Sequence, residues 1–260
     1  MPRGAIARTI YKALYNTLRY SFEVKKGVVL DIPILMYHQI GLKQHSEYPS
    51  IYTSKDSFEK QMRILKESGY ETIYLSEYAQ ILKRPGSSIK KRIVICFDDA
   101  YEGVYKFAYP VLAKYNFKAV VFIITEKLKK KLIPRSFPFL SINQIKELQK
   151  HNFKVASHSY SHADLTKVNN IALEREIGES KRILEDIFSA KVESFSYPMN
   201  KYNAQVIEMV KKHGYTCACT DNLGLYNFKE DLFTLKRIAM LNTISKLKIL
   251  YRLRIVGKTV

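Results

Sequence analysis

Along most of the chain, short apolar runs alternate with stretches in which apolar residues recur every three or four positions. The first pattern is that of a buried strand, the second that of a helix with one apolar face. "IPILMYH" (32–38) reads as a strand, and "SKDSFEKQMRILKESG" (54–69) as a helix with Phe58, Met62 and Leu65 on one side and Gly69 as its stop. "ETIYL" (71–75) is expected to be a strand. "RIVICF" (92–97) is another. It is followed by Val104, Phe107, Ala108, Val111 and Leu112 at helical spacing and then by the strand "KAVVFII" (118–124), which completes a βαβ unit.

The alternation continues. Ser141 with Gln144 three residues later is a capping-box signature ahead of a short helix, and "FKVAS" (153–157) is the next strand. Leu173, Ile177, Leu184 and Phe188 mark a long helix near 170–188. "VESFSYP" (192–198) is a strand stopped by Pro198, "AQVIEMVKKHG" (204–214) a helix ending at Gly214, and "YTCACT" (215–220) a strand. Strand and helix in turn predict a parallel sheet or an α/β barrel in one domain, since no Gly-, Ser- or Pro-rich linker and no internal repeat divides the chain.

Composition fits a folded enzyme: of 260 residues, 47% are hydrophobic and 26% charged. The formal charge of +19 changes the picture, because it favours an anionic partner such as nucleic acid, a phosphorylated substrate or an acidic membrane surface. Ile6, Ile10, Leu14, Leu18 and Phe22 recur every four positions among Arg8, Lys12 and Arg19, as in a basic amphipathic helix that lies on an anionic bilayer or packs on its own domain. The C-terminal "ISKLKILYRLRIVGKTV" is again basic and apolar by turns. Neither a secretory apolar core nor a run of about 20 apolar residues is present, so a cytoplasmic protein, peripheral to the inner face of the membrane, is expected. Cys96, Cys217 and Cys219 suit neither a disulfide framework nor a zinc pair and read as buried strand thiols.

Candidate chemistry collects where strands end. His38 follows the first strand, Asp98 and Asp99 follow "RIVICF", His158 and His162 stand in "HSYSH", and the turn "SYPMN" follows "VESF". In α/β folds the loops leaving the C-terminal strand ends converge on one face. Two histidines and a carboxylate give three ligands for a divalent transition metal and leave a fourth position open. Each part alone has a plainer reading: histidines near turns are commonly solvated, and paired acids commonly cap the helix they precede. His151 and His213, beside helix ends, read as surface residues.

At these positions the chain resembles the polysaccharide deacetylase family, also called the NodB-homology or carbohydrate esterase family 4 domain, over residues 33–240. Its first motif appears as "CFDDA", its second as "HSYSH" and its third, altered, as "FSYPMN"; "MYHQI" and "SYPMNKYN" look like the branch that includes the poly-N-acetylglucosamine deacetylases. The resemblance implies a distorted (β/α) barrel of about seven parallel strands; the basic segments at 1–32 and 241–260, read from their own charge pattern, flank it. It implies Asp98 as general base and Asp99, His158 and His162 as ligands of a divalent metal, usually zinc. The Met199 N–H would serve the oxyanion, with Tyr197 and Arg237 on the substrate side and Arg237 also a candidate to assist the base.

The family's late Leu-x-His acid is absent, since no histidine follows His213, and the resembling branch gives that role to the position of His38. The arginine common in the third motif falls at Ser196, and Ala100 and Asn200 stand where glycines are usual. The fourth-motif tryptophan has no counterpart in a chain without Trp. The activity so implied is N-deacetylation of an amino sugar in a glycan or a phosphate- or lipid-linked intermediate. Deformylation or O-acetyl ester hydrolysis on the same scaffold, and a catalytically dead membrane- or nucleic-acid-binding module, are the alternatives. A two-histidine, one-carboxylate iron site is disfavoured by the alternating pattern.

Overall fold

The apolar runs close into a ring of seven parallel strands in the computed structural model, which describes residues 32–42, 51–82, 91–128, 138–223, 227, 231–240 and 242. The basic segments expected at the two ends, including the helix at 5–22, lie outside the described residues. In chain order the strands are β1 (Ile34–Tyr37), β2 (Gln39–Gly41), β3 (Tyr52–Ser54), β4 (Glu71–Thr72), β5 (Arg92–Phe97), β6 (Ala119–Ile123), β7 (Phe153–Ser157), β8 (Ser194–Ser196), β9 (Cys217–Leu223) and β10 (Leu235–Ala239). The ring runs β1-β10-β9-β8-β7-β6-β5 and closes where β5 pairs with β1, Phe97 opposite Tyr37. β4 pairs with the first two residues of β5, Arg92 and Ile93, and β2 and β3 form a separate parallel pair beside the C-terminal end of β1.

Strand parity sorts the side chains into two cores, because successive residues point to opposite faces. Ile34, Val94, Cys96, Val120, Phe122, Ala156, Cys217, Cys219 and Leu235 belong to one buried cluster, the barrel interior. Leu35, Tyr37, Ile93, Ile95, Phe97, Val121, Ile123, Val155, Phe195, Ala218 and Ile238 belong to the other, which lies under the helices. All three cysteines are buried free thiols, as their strand positions predict.

The helices largely follow the predicted pattern. They are α1 (Lys55–Glu67), α2 (Leu75–Leu82), α3 (Tyr109–Tyr115), α4 (Ile142–Gln149), α5 (Asn170–Glu174), α6 (Ser180–Phe188) and α7 (Ala204–Lys212). Ser54 caps α1, and the capping box of Ser141 and Gln144 is formed at α4. Gly69 and Gly214 end their helices with φ of 75° and 70°. A five-residue π-helical stretch, Val104–Ala108, leads into α3, and a second, Arg175–Glu179, joins α5 to α6. Gly103 begins the first of these: a Cβ there would lie 1.8 Å from the Ile40 carbonyl oxygen, so the stretch sits against β2 with no room for a side chain.

One expectation needs correction, and three strands have no counterpart in the sequence reading. "ETIYL" is a strand for only two residues, because Leu75, Tyr78 and Ala79 carry a helical apolar face that packs α2 into the interior cluster. β2 and β3 are too short to give a period. β10 escapes the sequence pattern because one of its inward positions is Arg237, which breaks the apolar run that would have announced it.

Candidate active site

Parity also delivers the chemistry. Continuing the inward series one step past the strand ends gives His38 after Ile34 and Met36, Asp98 after Val94 and Cys96, and His158 after Ala156. Ser196 follows Ser194 in the same way, Asp221 follows Cys217 and Cys219, and Arg237 follows Leu235. These residues form a polar layer capping the apolar barrel interior at its C-terminal end, where loops of such barrels place their sites.

Within that layer Asp98 and Arg237 are paired through both carboxylate oxygens, Nη1 to Oδ1 at 2.8 Å and Nη2 to Oδ2 at 2.7 Å. Arg237 also donates through Nε to the Thr220 carbonyl at 3.0 Å and through Nη2 to Ser196 Oγ and Asp221 Oδ1. Ser196 Oγ in turn donates to Asp98 Oδ2 at 3.2 Å. Burial acts to raise the Asp98 carboxyl, but the charges of Arg237 and His158 and the Arg237 hydrogen bonds outweigh it and hold the group well below the usual carboxylate range. Ser196, at the position where the family's third motif commonly has arginine, thus touches a guanidinium that arrives from β10 instead.

Asp99 would face outward by parity, yet its backbone is left-handed (φ 66°), and this turns its carboxylate back to the same pocket. Its Oδ1 lies 3.5 Å from His158 Nε2 and 3.6 Å from His162 Nε2, beyond good hydrogen-bond length, and is buried with no hydrogen-bond partner. The three ligand atoms lie within 4.8 Å of one another. Tetrahedral zinc with ligands near 2.0–2.1 Å needs donors about 3.3–3.4 Å apart, so an orphaned anionic oxygen facing two imidazole nitrogens fits such an ion. His158 Nδ1 bonds the Ser196 carbonyl at 2.9 Å, which makes Nδ1 the protonated nitrogen and leaves Nε2 as the ligand lone pair. Burial and the neighbouring His158 lower the proton affinity of His162, which favours the neutral form that binds metal.

Among the described residues, six of the ten non-glycine residues with positive φ, namely Asp99, Ala100, Ser159, His162, Met199 and Asn200, lie in the three loops that build this site. Asn200 meets its left-handed conformation with side-chain bonds, accepting from the Asp221 amide at 2.9 Å and donating to Asn222 Oδ1 at 3.0 Å. His38 leaves β1 directly beside Asp98, whose amide donates to the Tyr37 carbonyl at 2.9 Å, and is close enough for its charge to act on Asp98 and His162.

Two of the substrate-side residues read from the sequence differ in placement. Met199 stands on the turn after β8 with its side chain half exposed. Tyr197 does not reach the pocket: its ring is buried among Phe195 and Tyr202, and its hydroxyl donates to the Phe233 carbonyl at 3.0 Å. The reason is again parity, since Tyr197 follows inward Ser196 and points to the helix layer. His213 is not a surface residue either; it is largely buried between Glu174 and Gly178. The sequence reading missed Ser196 and Asp221 as partners of Arg237, and it missed Glu176, which holds the "HSYSH" loop. Parity would have found the first two, and the third is a carboxylate on the apolar stripe of its helix.

Comparison with known proteins follows the same lines. A family model described as polysaccharide deacetylase matches residues 86–218. YxkH of Bacillus subtilis (strain 168), which bears a polysaccharide deacetylase name, is 30% identical over 215 residues, 83% of this chain and 73% of its own. The poly-beta-1,6-N-acetyl-D-glucosamine N-deacetylase of Staphylococcus aureus (strain MRSA252) is 27% identical over 177 residues, 65% of this chain and 60% of the relative. Among solved structures, the Streptococcus pyogenes deacetylase PplD in complex with acetate superposes with a TM-score of 0.80 at 26% identity, over 86% of this chain and 99% of that one.

Proposed function

The chain belongs to the polysaccharide deacetylase family, and on that footing we propose that it is a metal-dependent hydrolase that removes N-acetyl groups from an amino sugar. The observation that carries this reading is the orphaned Asp99 Oδ1 facing His158 Nε2 and His162 Nε2 beside the buried Asp98–Arg237 pair. Asp99, His158 and His162 would hold the ion, zinc by the chemistry of the donors, which when bound supplies Lewis acidity toward the acyl oxygen and lowers the pKa of water to about 7.

Asp98 is the proton acceptor in this scheme. Its pairing with Arg237 keeps it ionised and fixed in orientation, and also makes it a weak base that takes a proton only from an acid far stronger than bulk water. That is the kind of acid a lowered water pKa provides. Ser196 Oγ, bonded to both Asp98 and Arg237, restricts the carboxylate further.

The leaving amine of an amide needs protonation as the C–N bond breaks. His38, at the neighbouring strand end, is assigned that proton, since imidazole is the side chain that exchanges protons near neutral pH. The Met199 amide, in its left-handed turn at the pocket rim, is assigned to the developing oxyanion. Domain limits of 33–240 for the catalytic body and basic segments at 1–32 and 241–260 accompany this reading.

The staphylococcal relative supports a β-1,6-linked N-acetylglucosamine chain as the substrate class. The charge of +19 supports an anionic setting, a phosphate- or lipid-linked glycan at the surface of an acidic membrane. Among the described residues no helix is long and apolar enough to cross a membrane. Incubating zinc-loaded protein with N-acetylated β-1,6-glucosamine oligomers and assaying acetate tests the activity. Acetate release that disappears in Asp98→Asn is expected, and a zinc-bound parent that releases none would overturn the reading.

A further inference from the structure

The two histidines of "HSYSH" are separated by a stretch that lies beyond the end of β7. β7 ends at Ser157; the His158 amide bonds the Ile123 carbonyl at 2.9 Å, and the Ser159 and Tyr160 carbonyls accept from the Thr125 and Glu126 amides at 3.2 and 2.8 Å. The chain then reverses through left-handed Ser159 (φ 63°) and reaches His162, itself left-handed (φ 67°). Non-glycine residues in that region are strained and hold it only where their surroundings impose it.

The bonds from Thr125 and Glu126 hold carbonyls, and the His162 amide donates to Ser159 Oγ at 2.9 Å; the Tyr160 and Ser161 amides are held by a side chain on another element. Glu176, buried in the π-helical stretch between α5 and α6, accepts at Oε2 from the amides of Tyr160 at 3.1 Å and Ser161 at 2.9 Å, and at Oε1 from Ser161 Oγ at 2.6 Å. Both carboxylate oxygens are thus spent on the residues between the two histidines. The preceding residue, Arg175, lays its guanidinium 4.2 Å from the centre of the Tyr160 ring. A π-helical insertion shifts the register of a helix by one residue and is common at functional sites. Here it brings a carboxylate to the loop from a position on the apolar stripe that includes Leu173 and Ile177.

We propose that Glu176 is a positioning residue for the metal site: by fixing the backbone of Tyr160 and Ser161 it sets where His162 Nε2 stands relative to His158 Nε2 and Asp99 Oδ1. This rests on the metal-site reading above. Glu176 touches neither substrate nor metal, and its effect passes entirely through the loop. An alanine there leaves two amides and a hydroxyl without the carboxylate that accepts from them. A glutamine retains an oxygen for the amides, and its NH2 group can donate to Ser161 Oγ, so it preserves the geometry without the charge.

The test compares zinc affinity by calorimetry in the parent, Glu176→Ala, Glu176→Gln and Leu173→Ala, the last being a buried apolar truncation on the same helical run. Groups that orient ligands from outside the coordination sphere change metal affinity about 10–100-fold. Glu176→Ala is expected to bind zinc at least tenfold more weakly. Glu176→Gln should stay within about threefold of the parent, and Leu173→Ala should keep parental affinity despite a lowered melting temperature. At saturating zinc, Glu176→Ala should keep the parental KM. If Glu176→Ala does not fold, Glu176→Asp, one methylene too short to reach all three donors, takes its place with the same expectation. Equal zinc affinity in parent and Glu176→Ala, or an equal loss in Leu173→Ala, would overturn this inference alone. A parent that binds no zinc would overturn it together with the metal-site reading.

Discussion

Arg237 grips both carboxylate oxygens of Asp98 at 2.8 and 2.7 Å, with side chains 0% and 1% exposed. The two residues come from β10 and β5, the strands that flank β1 on either side, so the pair bridges the end of β1 where His38 leaves it. A fully buried guanidinium with this many partners is both a closure of the barrel and the clamp on its candidate base.

Removing Arg237 leaves the buried Asp98 carboxylate without its paired guanidinium. Arg237→Ala is therefore expected to lower the unfolding free energy by about 3–5 kcal/mol, read from urea denaturation. Arg237→Lys should recover only part of this, since an ammonium cannot fork onto two oxygens and also reach the Thr220 carbonyl and Asp221. A loss below 1 kcal/mol for Arg237→Ala would mean that the pair is absent in solution.

The same pair predicts a pH dependence. Burial works against the Asp98 anion, yet Arg237 and His158 hold its folded-state carboxyl well below the range near 3.9 that an unfolded aspartate has. The unfolded chain then binds the proton more readily, so the stabilisation is complete above the unfolded value and is lost as pH falls through it toward the folded one. In metal-free protein the stability gap between the parent and Asp98→Asn should shrink steadily below about pH 4. A gap that stays constant to pH 2 would contradict the ionised, paired Asp98.

Metal binding should hinge on Asp99, whose buried Oδ1 has no hydrogen-bond partner. Zinc is expected to raise the melting temperature of the parent, as any ligand that binds only the folded state does, and a chelator should reverse the effect. Asp99→Ala should show no such shift while folding normally. Stabilisation of that variant by zinc to the parental degree would place the ion elsewhere.

These features were not equally legible in the chain. The paired acids, the two histidines and His38 stood out because polar residues at the ends of apolar runs break a pattern. Arg237 was visible only as a guess, and its strand not at all, because a charge on the inward face of a strand looks the same in sequence as a charge in a loop. Ser196 and Asp221, within β8 and β9, are hidden for a different reason: small or acidic residues near strand ends are common, and only the inward series 194, 196 and 217, 219, 221 gives them a direction. Tyr197 was misplaced by proximity to the motif when its parity already pointed to the helices. Glu176 sits on a separate helical run, and the π-helical shift that aims it leaves no period to read.

The role proposed for His38 predicts a difference between amide and ester hydrolysis. A protonated donor matters for an amine leaving group and far less for an alkoxide, so His38→Ala should lower N-acetyl hydrolysis about 10²–10⁴-fold and hydrolysis of an activated acetyl ester much less. The comparison is of kcat on the two substrates with zinc saturating. Equal losses on both would instead give His38 a role in holding the pocket together.

Ala100 stands where the family commonly has glycine, and its φ of 58° is in the region that glycine alone enters without strain. The methyl group is nevertheless buried in the core under the helices, and the Ala100 carbonyl accepts from the Leu140 amide at 2.8 Å. Left-handed backbone costs a non-glycine residue about 1–2 kcal/mol. Against this, burying the methyl returns about 0.8 kcal/mol, and the more restricted unfolded chain returns about 0.4–1 kcal/mol. The terms nearly cancel, so Ala100→Gly should change stability by less than about 1 kcal/mol in either direction, read from the urea midpoint at constant slope. Ala100→Val has no such balance: a β-branched side chain at this φ adds strain beyond alanine in a buried turn, and a loss of more than about 2 kcal/mol is expected. A valine variant as stable as the parent would mean that the turn relaxes out of the left-handed region, and the direction of the Asp99 carboxylate, set by the same turn, would change with it.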